Sequence, residues 1–202
     1  MRYIQKGAEP QKFSDWKCLA NEEWHPNYEN LSGVEKKAVY QSLLAEQGHI
    51  CCYCERQLIA NDYHIEHLNP QTLHAGDDLN YENFICSCLK QTARGEPLHC
   101  GKLKEDKIIS IHPLQQDCQS KFTYTAMGEI DGVDQDTKET IQFLGLNIDK
   151  LTDMRADAVS PFLSDEIEQD EFQSFVAGYI IPDHNDKRNA FCSMIEFLFK
   201  RD

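Results

Sequence analysis

Apolar residues punctuate this chain in three rhythms. Ala38, Val39, Leu43 and Leu44 fall at helical spacing. Ser32 stands before them as a candidate N-cap, Glu35 is in the capping-box position, and Gly48 is a natural C′ residue. Tyr63–Leu68 alternates like a strand and ends at Asn69-Pro70. Ile108–Pro113 is also strand-like. Lys121–Thr125, with Met127-Gly128 as a turn and Glu129-Ile130 returning, predicts a small hairpin.

Three helical segments come next. The first is capped by Asp136 and runs over Thr137–Leu144, with Glu139 in the capping-box position and Gly145 as its stop. The second covers Asp149–Ser160, before Pro161, and the third covers Ser164–Ala177, stopped by Gly178. A last helix after Pro182 carries Ala190, Phe191, Met194, Ile195, Leu198 and Phe199, a wide apolar face that needs burial. Residues 1–30 read as an irregular arm with one short helix near Ser14–Leu19. Its aromatics are assigned to packing on the body, with a base-stacking platform as the functional alternative.

The predicted fold class is α+β. Residues 1–130 are expected to form one domain with an N-terminal arm and helix. Residues 131–202 are expected to form an acidic helical region packed on it. Among 202 residues no apolar run approaches the roughly 20 needed to span a bilayer. The start of the chain lacks an apolar signal core, so a cytoplasmic protein with no membrane partner is expected.

Cysteine usage changes the picture. Six of the nine cysteines lie between Cys51 and Cys100. In a reducing compartment, clustering of this kind points to metal rather than to disulfides. Cys51 and Cys54 have the spacing that lets two thiolates reach one tetrahedral Zn²⁺. Cys88 and Cys100 are chosen as the second pair, with Leu89–His99 as an inserted loop. Cys86 in place of Cys88, or His99 in place of Cys100, stays open. Cys52 is read as a spectator. Cys18, Cys118 and Cys192 are read as small hydrophobes.

Between the cysteine pairs lie His64, Glu66 and His67. Alternation puts His64 and Glu66 on one face of the strand and His67 on the other. One face can then ligate a cation while the other presents a base; a solvated polar strand is the plain alternative. Asn83, taken alone, is a turn or cap residue. Lys102 and Lys104 are candidates to approach phosphate, or else surface residues.

Charge complicates a nucleic-acid role. The net charge is −14. Residues 111–202 carry 8 basic and 18 acidic groups, net −10, against −3 for residues 51–110 and −1 for residues 1–50. An acidic surface repels phosphate, so help from a basic partner is expected.

CxxC, then Glu66-His67 with Pro70, then Asn83 and further cysteines, resembles the HNH endonuclease superfamily and its ββα-metal core. Ile4-Gln5-Lys6-Gly7, Gln47–Arg56, His99-Cys100-Gly101, His112-Pro113-Leu114 and Phe122-Thr123-Tyr124 extend the likeness. They fit the PtuB-type subunits of Septu and retron-associated anti-phage systems, over roughly residues 1–155.

The resemblance implies a ββα-metal core with a four-cysteine zinc knuckle, and a phosphodiester hydrolase acting on DNA first, with tRNA as the alternative substrate. It places Glu66 as the acid holding Mg²⁺ or Mn²⁺, His64 as a further metal-side group, His67 as general base and Asn83 as the loop brace that orients it. The third position of the motif departs from the pattern, since Gly101-Lys102-Leu103-Lys104 stands there; His99 or a residue of the inserted loop is the expected substitute ligand. An ATPase subunit resembling PtuA is implied as partner, and a retron reverse transcriptase with its RNA–DNA hybrid as a further one. Two readings compete: a non-catalytic zinc-knuckle adaptor that binds a partner ATPase, and a thiol redox protein using Cys51 and Cys54.

Overall fold

A computed structural model describes residues 1–73, 78–90, 95–163 and 168–200. Its elements are helices α1 (Gln11–Lys17) and α2 (Gly33–Glu46), strands β1 (Tyr63–His67) and β2 (Phe84–Cys88), a single helical turn α3 (Gly101–Lys104), strands β3 (Phe122–Tyr124) and β4 (Ile130–Gly132), and helices α4 (Gln135–Leu144), α5 (Asp149–Val159), α6 (Gln169–Ile180) and α7 (Cys192–Phe199). The mixture of helices with two small sheets is the α+β class expected. Among the described residues no helix is long and apolar enough to cross a membrane.

β1 and β2 pair antiparallel, with His64 opposite Ser87, Glu66 opposite Ile85 and His67 opposite Phe84. Every residue of β2 is buried, because this sheet lies between two apolar clusters. Ile65, Phe84 and Cys86 face the first, with Phe13, Leu31, Val39 and Leu43 of the arm and α2. Ile85 and Cys88 face the second, with the first cysteine knuckle, the β3–β4 hairpin and the C-terminal helices. The arm therefore packs: Phe13 stacks on Trp16 at 5.9 Å, and Tyr28 meets Phe84 edge-on at 5.9 Å.

Several local expectations are corrected. Ser32 does occupy the N-cap of α2, but its side chain makes no capping bond, so the box with Glu35 does not form. The cap of α4 is Asp134, which accepts hydrogen bonds from the Thr137 amide at 2.9 Å and its hydroxyl at 2.6 Å; Asp136 lies inside the helix. Val133 donates to the Lys121 carbonyl, and this closure of the hairpin sets where the helix can start. Ile108–Pro113 is not a strand. Ile109 and Ile111 are buried as alternation suggested, but the Ile111 amide is taken by Thr140 Oγ1 instead of a neighbouring strand.

The start of the helix expected at Ser164 lies outside the described residues, as do residues 91–94 of the inserted loop. α6 runs through Gly178 to Ile180. One helical glycine costs only about 1 kcal/mol, and packing against α7 outweighs it. Cys18 is exposed, unlike Cys118 and Cys192. Gly48 and Gly145 end their helices in the left-handed conformation, as expected.

Candidate metal and catalytic centre

Two polar centres flank the β1–β2 sheet. The first is the cysteine cluster. The ligand sulfurs of Cys51, Cys54, Cys88 and Cys100 all lie within 4.8 Å of one another, and all four residues are buried. The knuckle is made by its backbone. The Cys51 amide donates to the Arg56 carbonyl, the Glu55 amide returns to the Cys51 carbonyl, and Glu55 takes a positive φ of 63°. Gln47 clamps this knuckle to β2: its amide nitrogen donates to the carbonyls of Ile50 and Cys86, and its oxygen accepts from the Cys86 amide. Cys88 comes from the end of β2. Cys100, also at positive φ, is fixed by the hydrogen bond its backbone N–H donates to the Leu144 carbonyl at 2.7 Å.

The donor set fits a metal such as zinc. Burial opposes ionisation of Cys51, but hydrogen bonds from Cys100, Cys52, Cys54 and Cys88 hold its thiol well below the ordinary value. Burial and the neighbouring thiols push Cys100 the other way. A divalent cation would let the remaining thiols ionise as well. Cys52 and Cys86 are buried outside this group. His99 reaches it: Nδ1 lies 3.2 Å from the Cys100 sulfur and 3.8 Å from that of Cys88. Burial pushes the imidazole down to about 4. His99 thus stands beside the sulfurs of Cys88 and Cys100, while the four cysteine sulfurs form the gathered set.

The second centre lies on the same sheet. His64 and Glu66 share a face, with Nε2 3.4 Å from Oε2. Glu66 Oε1 accepts from the Tyr53 hydroxyl at 3.2 Å and pairs with Lys104 Nζ at 3.1 Å. Burial alone would raise the Glu66 carboxyl; hydrogen bonding from His64 and the charge of Lys104 more than offset it and leave it below the usual carboxylate range. Lys104 is therefore neither a surface residue nor free for phosphate, because one helical turn from Cys100 carries it back over the sheet. Its charged end is buried against Glu66 and the His67 carbonyl.

Gly101 explains the departure at the third motif position. A Cβ there would stand 2.4 Å from Glu66 Oε2 and 2.8 Å from His64 Nε2. Any side chain would collide with the pair, and the His64 ring occupies the space.

His67 points to the other face, where its ring meets Tyr28 and Phe84 edge-on at 4.6 and 4.8 Å. Nε2 lies 3.0 Å from the Asp78 carbonyl. A carbonyl only accepts, so a hydrogen bond to it requires the proton on Nε2 and leaves the lone pair on Nδ1, whereas a hydrogen bond from the Gln71 amide would require the opposite tautomer. The Gln71 amide nitrogen lies 3.1 Å from the same Nε2. Burial lowers the imidazole pKa, against the raising effects of the Asp78 bond and the Glu66 charge. Asn83 secures the end of β1: Oδ1 accepts from the Asn69 amide at 2.7 Å, Nδ2 donates to the Asn69 carbonyl at 2.9 Å, and the Asn83 carbonyl accepts from Leu68 at 3.0 Å.

The structure thus puts His64 and Glu66 on one face of β1, His67 on the other and Asn83 at the strand's end beside Asn69, and it gathers the four chosen cysteines. Tyr53, Lys104, Gly101 and the Asp78 carbonyl were not foreseen in these places. Of these, only Gly101 and Lys104 left a trace in the sequence, as the break in the motif.

No family model matches the chain. It is 32% identical over 128 residues, 58% of its length, to the protein described as "Retron Vc95 putative HNH endonuclease" from Vibrio cholerae serotype O1 biovar El Tor. The match spans 61% of that relative. The resemblance to HNH endonucleases in a retron setting is thus met by a relative of that description, and the chain is similar to it across more than half its own length.

Proposed function

We propose that the protein is a metal-dependent HNH endonuclease that hydrolyses phosphodiester bonds, DNA in the first place and tRNA in the second. The reading rests on one arrangement above all: a histidine whose Nε2 faces the Asp78 carbonyl, next in the chain to Glu66 but on the opposite face of β1 from the Glu66–His64 pair, on a strand end braced by Asn83.

In this mechanism His67 accepts a proton at Nδ1 from the attacking water. Tyr28 and Phe84 hold the ring plane, and Asn83 holds the chain that carries it. Glu66 Oε2 and His64 Nε2 would hold Mg²⁺ or Mn²⁺, which suits oxygen and imidazole donors and, when bound, neutralises charge developing on the phosphate. The four cysteines would hold structural Zn²⁺ and so keep the segments that carry them in register.

The protein acts as effector subunit of an anti-phage complex. The retron name of the relative supports that setting. The net charge of −14 argues that an ATPase subunit of the PtuA kind supplies much of the grip on nucleic acid. A retron reverse transcriptase with its RNA–DNA hybrid is a further partner.

His67→Ala is expected to lower cleavage of plasmid DNA or total tRNA by about 10²–10⁴-fold, with folding and zinc content kept. The assay uses Mg²⁺ or Mn²⁺, with and without the ATPase. Cleavage retained by that variant rejects the assignment. One observation favours the adaptor reading instead: the carboxylate is already paired with Lys104, and Gly101 brings no ligand. The adaptor predicts no cleavage by the wild type under any of these conditions.

A further inference from the structure

The ammonium group of Lys104 is enclosed. Its side chain has no exposed surface, so it cannot reach a substrate phosphate. Three oxygens surround it: Glu66 Oε1 at 3.1 Å, the His67 carbonyl at 3.1 Å and the Glu105 carbonyl at 3.5 Å. These match the three donors of an ammonium. A buried carboxylate requires a partner of this kind, since an isolated buried charge is strongly unfavourable.

The two oxygens of Glu66 are therefore unequal. Oε1 is taken by Lys104 and by the Tyr53 hydroxyl. Oε2 faces His64 Nε2 and the bare Cα side of Gly101. The close approach of His64 Nε2 to Oε2 is possible because residue 101 has no side chain, which would stand 2.4 Å from Oε2 and 2.8 Å from Nε2.

We infer that Lys104 is the resident counter-charge of Glu66, a positioning residue that reserves Oε2 and His64 Nε2 for a divalent cation and keeps that cation weakly held. This deepens the proposed function and rests on Glu66 and His64 being the cation site. Two positive charges sharing one carboxylate oppose each other, and more strongly in a buried setting than in water. Lys104 stabilises the site when no divalent cation is present and competes electrostatically when one arrives. It is also coupled to the cysteine cluster: its amide donates to the Cys100 carbonyl at 2.9 Å, and Tyr53 lies between Cys52 and Cys54 in the knuckle. Both groups that hold Oε1 are thus carried by the cysteine-bearing segments.

The sign of this effect sets the inference apart. A lysine that merely supported the fold would, on removal, weaken cation binding. A counter-charge would, on removal, strengthen it. The test is a Mn²⁺ titration of the zinc-loaded full chain, with free Mn²⁺ read by electron paramagnetic resonance and melting recorded with and without Mn²⁺. Wild type, Lys104→Met, Lys104→Gln and Glu66→Gln are compared.

Lys104→Met and Lys104→Gln are expected to bind Mn²⁺ about tenfold more tightly than wild type. They should melt lower without it and gain more from its addition. Lys104→Gln keeps a donor toward the His67 carbonyl and carries the test where Lys104→Met does not fold. If Glu66→Gln abolishes binding but the Lys104 variants bind equally or more weakly than wild type, the inference is overturned and the cation site stands. If wild-type binding is absent or indifferent to Glu66→Gln, the cation site itself fails and the inference with it.

Discussion

The cysteine cluster and the Glu66 centre share a sheet, yet they satisfy their charges in opposite ways. The cluster gathers four identical donors from three separate segments, all buried. Once ionised, its sulfurs call for an ion from outside. The Glu66 centre gathers unlike groups and carries its own cation, Lys104. In the proposed function such a centre would be stable without metal and able to exchange it. If both assignments hold, the difference separates a site suited to permanent occupancy from one suited to turnover.

Removing a sulfur should show this contrast most strongly. Cys54→Ser is expected to lose zinc and most of the domain's stability, because structural zinc contributes on the order of 10 kcal/mol to small folds that depend on it. Zinc content by mass spectrometry and the melting temperature check it. Unchanged stoichiometry and melting would show that Cys54 is not a ligand and that the cluster is no more demanding than the Glu66 centre.

A smaller effect is expected at the brace. Asn83→Ala removes two hydrogen bonds to the Asn69 backbone, a loss of about 1–3 kcal/mol. Urea denaturation should show a lower midpoint at unchanged slope, with zinc content preserved. A midpoint equal to wild type would mean that the end of β1 is held by the Leu68 amide bond and packing alone.

The mildest perturbation is pH. His67 must be neutral to act as base, and burial holds its pKa below the ordinary value of 6.5. Cleavage should therefore rise with pH through a point below 6.5 and be level by neutrality. An acid limb centred above that ordinary value would place another group in the role of base.

Much of the centre could be read from spacing. Cys51 and Cys54 announce a knuckle, and alternation within β1 correctly separates His64 and Glu66 from His67. The choice of Cys88 and Cys100 over Cys86 matches the sulfurs that gather; that they ligate zinc is what Cys54→Ser and the zinc assay examine. Helix ends at Gly48 and Gly145 were legible because only glycine adopts the left-handed conformation without steric cost. The cap at Asp134 was not legible, because Asp136 offers the same chemistry two residues on and the hairpin decides between them. Ile108–Pro113 failed for a related reason: alternation reports burial, but a strand also needs a neighbour with free backbone groups.

Local spacing and residue chemistry were enough to pick out the side chains that the structure gathers around this sheet, because a knuckle, an alternating strand and a glycine stop each depend on a few consecutive residues. The tertiary structure alone decided how their charges are settled. Lys104 and Glu66 are 38 positions apart in the chain, and Tyr53 and Gly101 reach the same carboxylate from different segments. No local rule ranks such partners, since a buried charge takes whichever group the packing brings within hydrogen-bond distance.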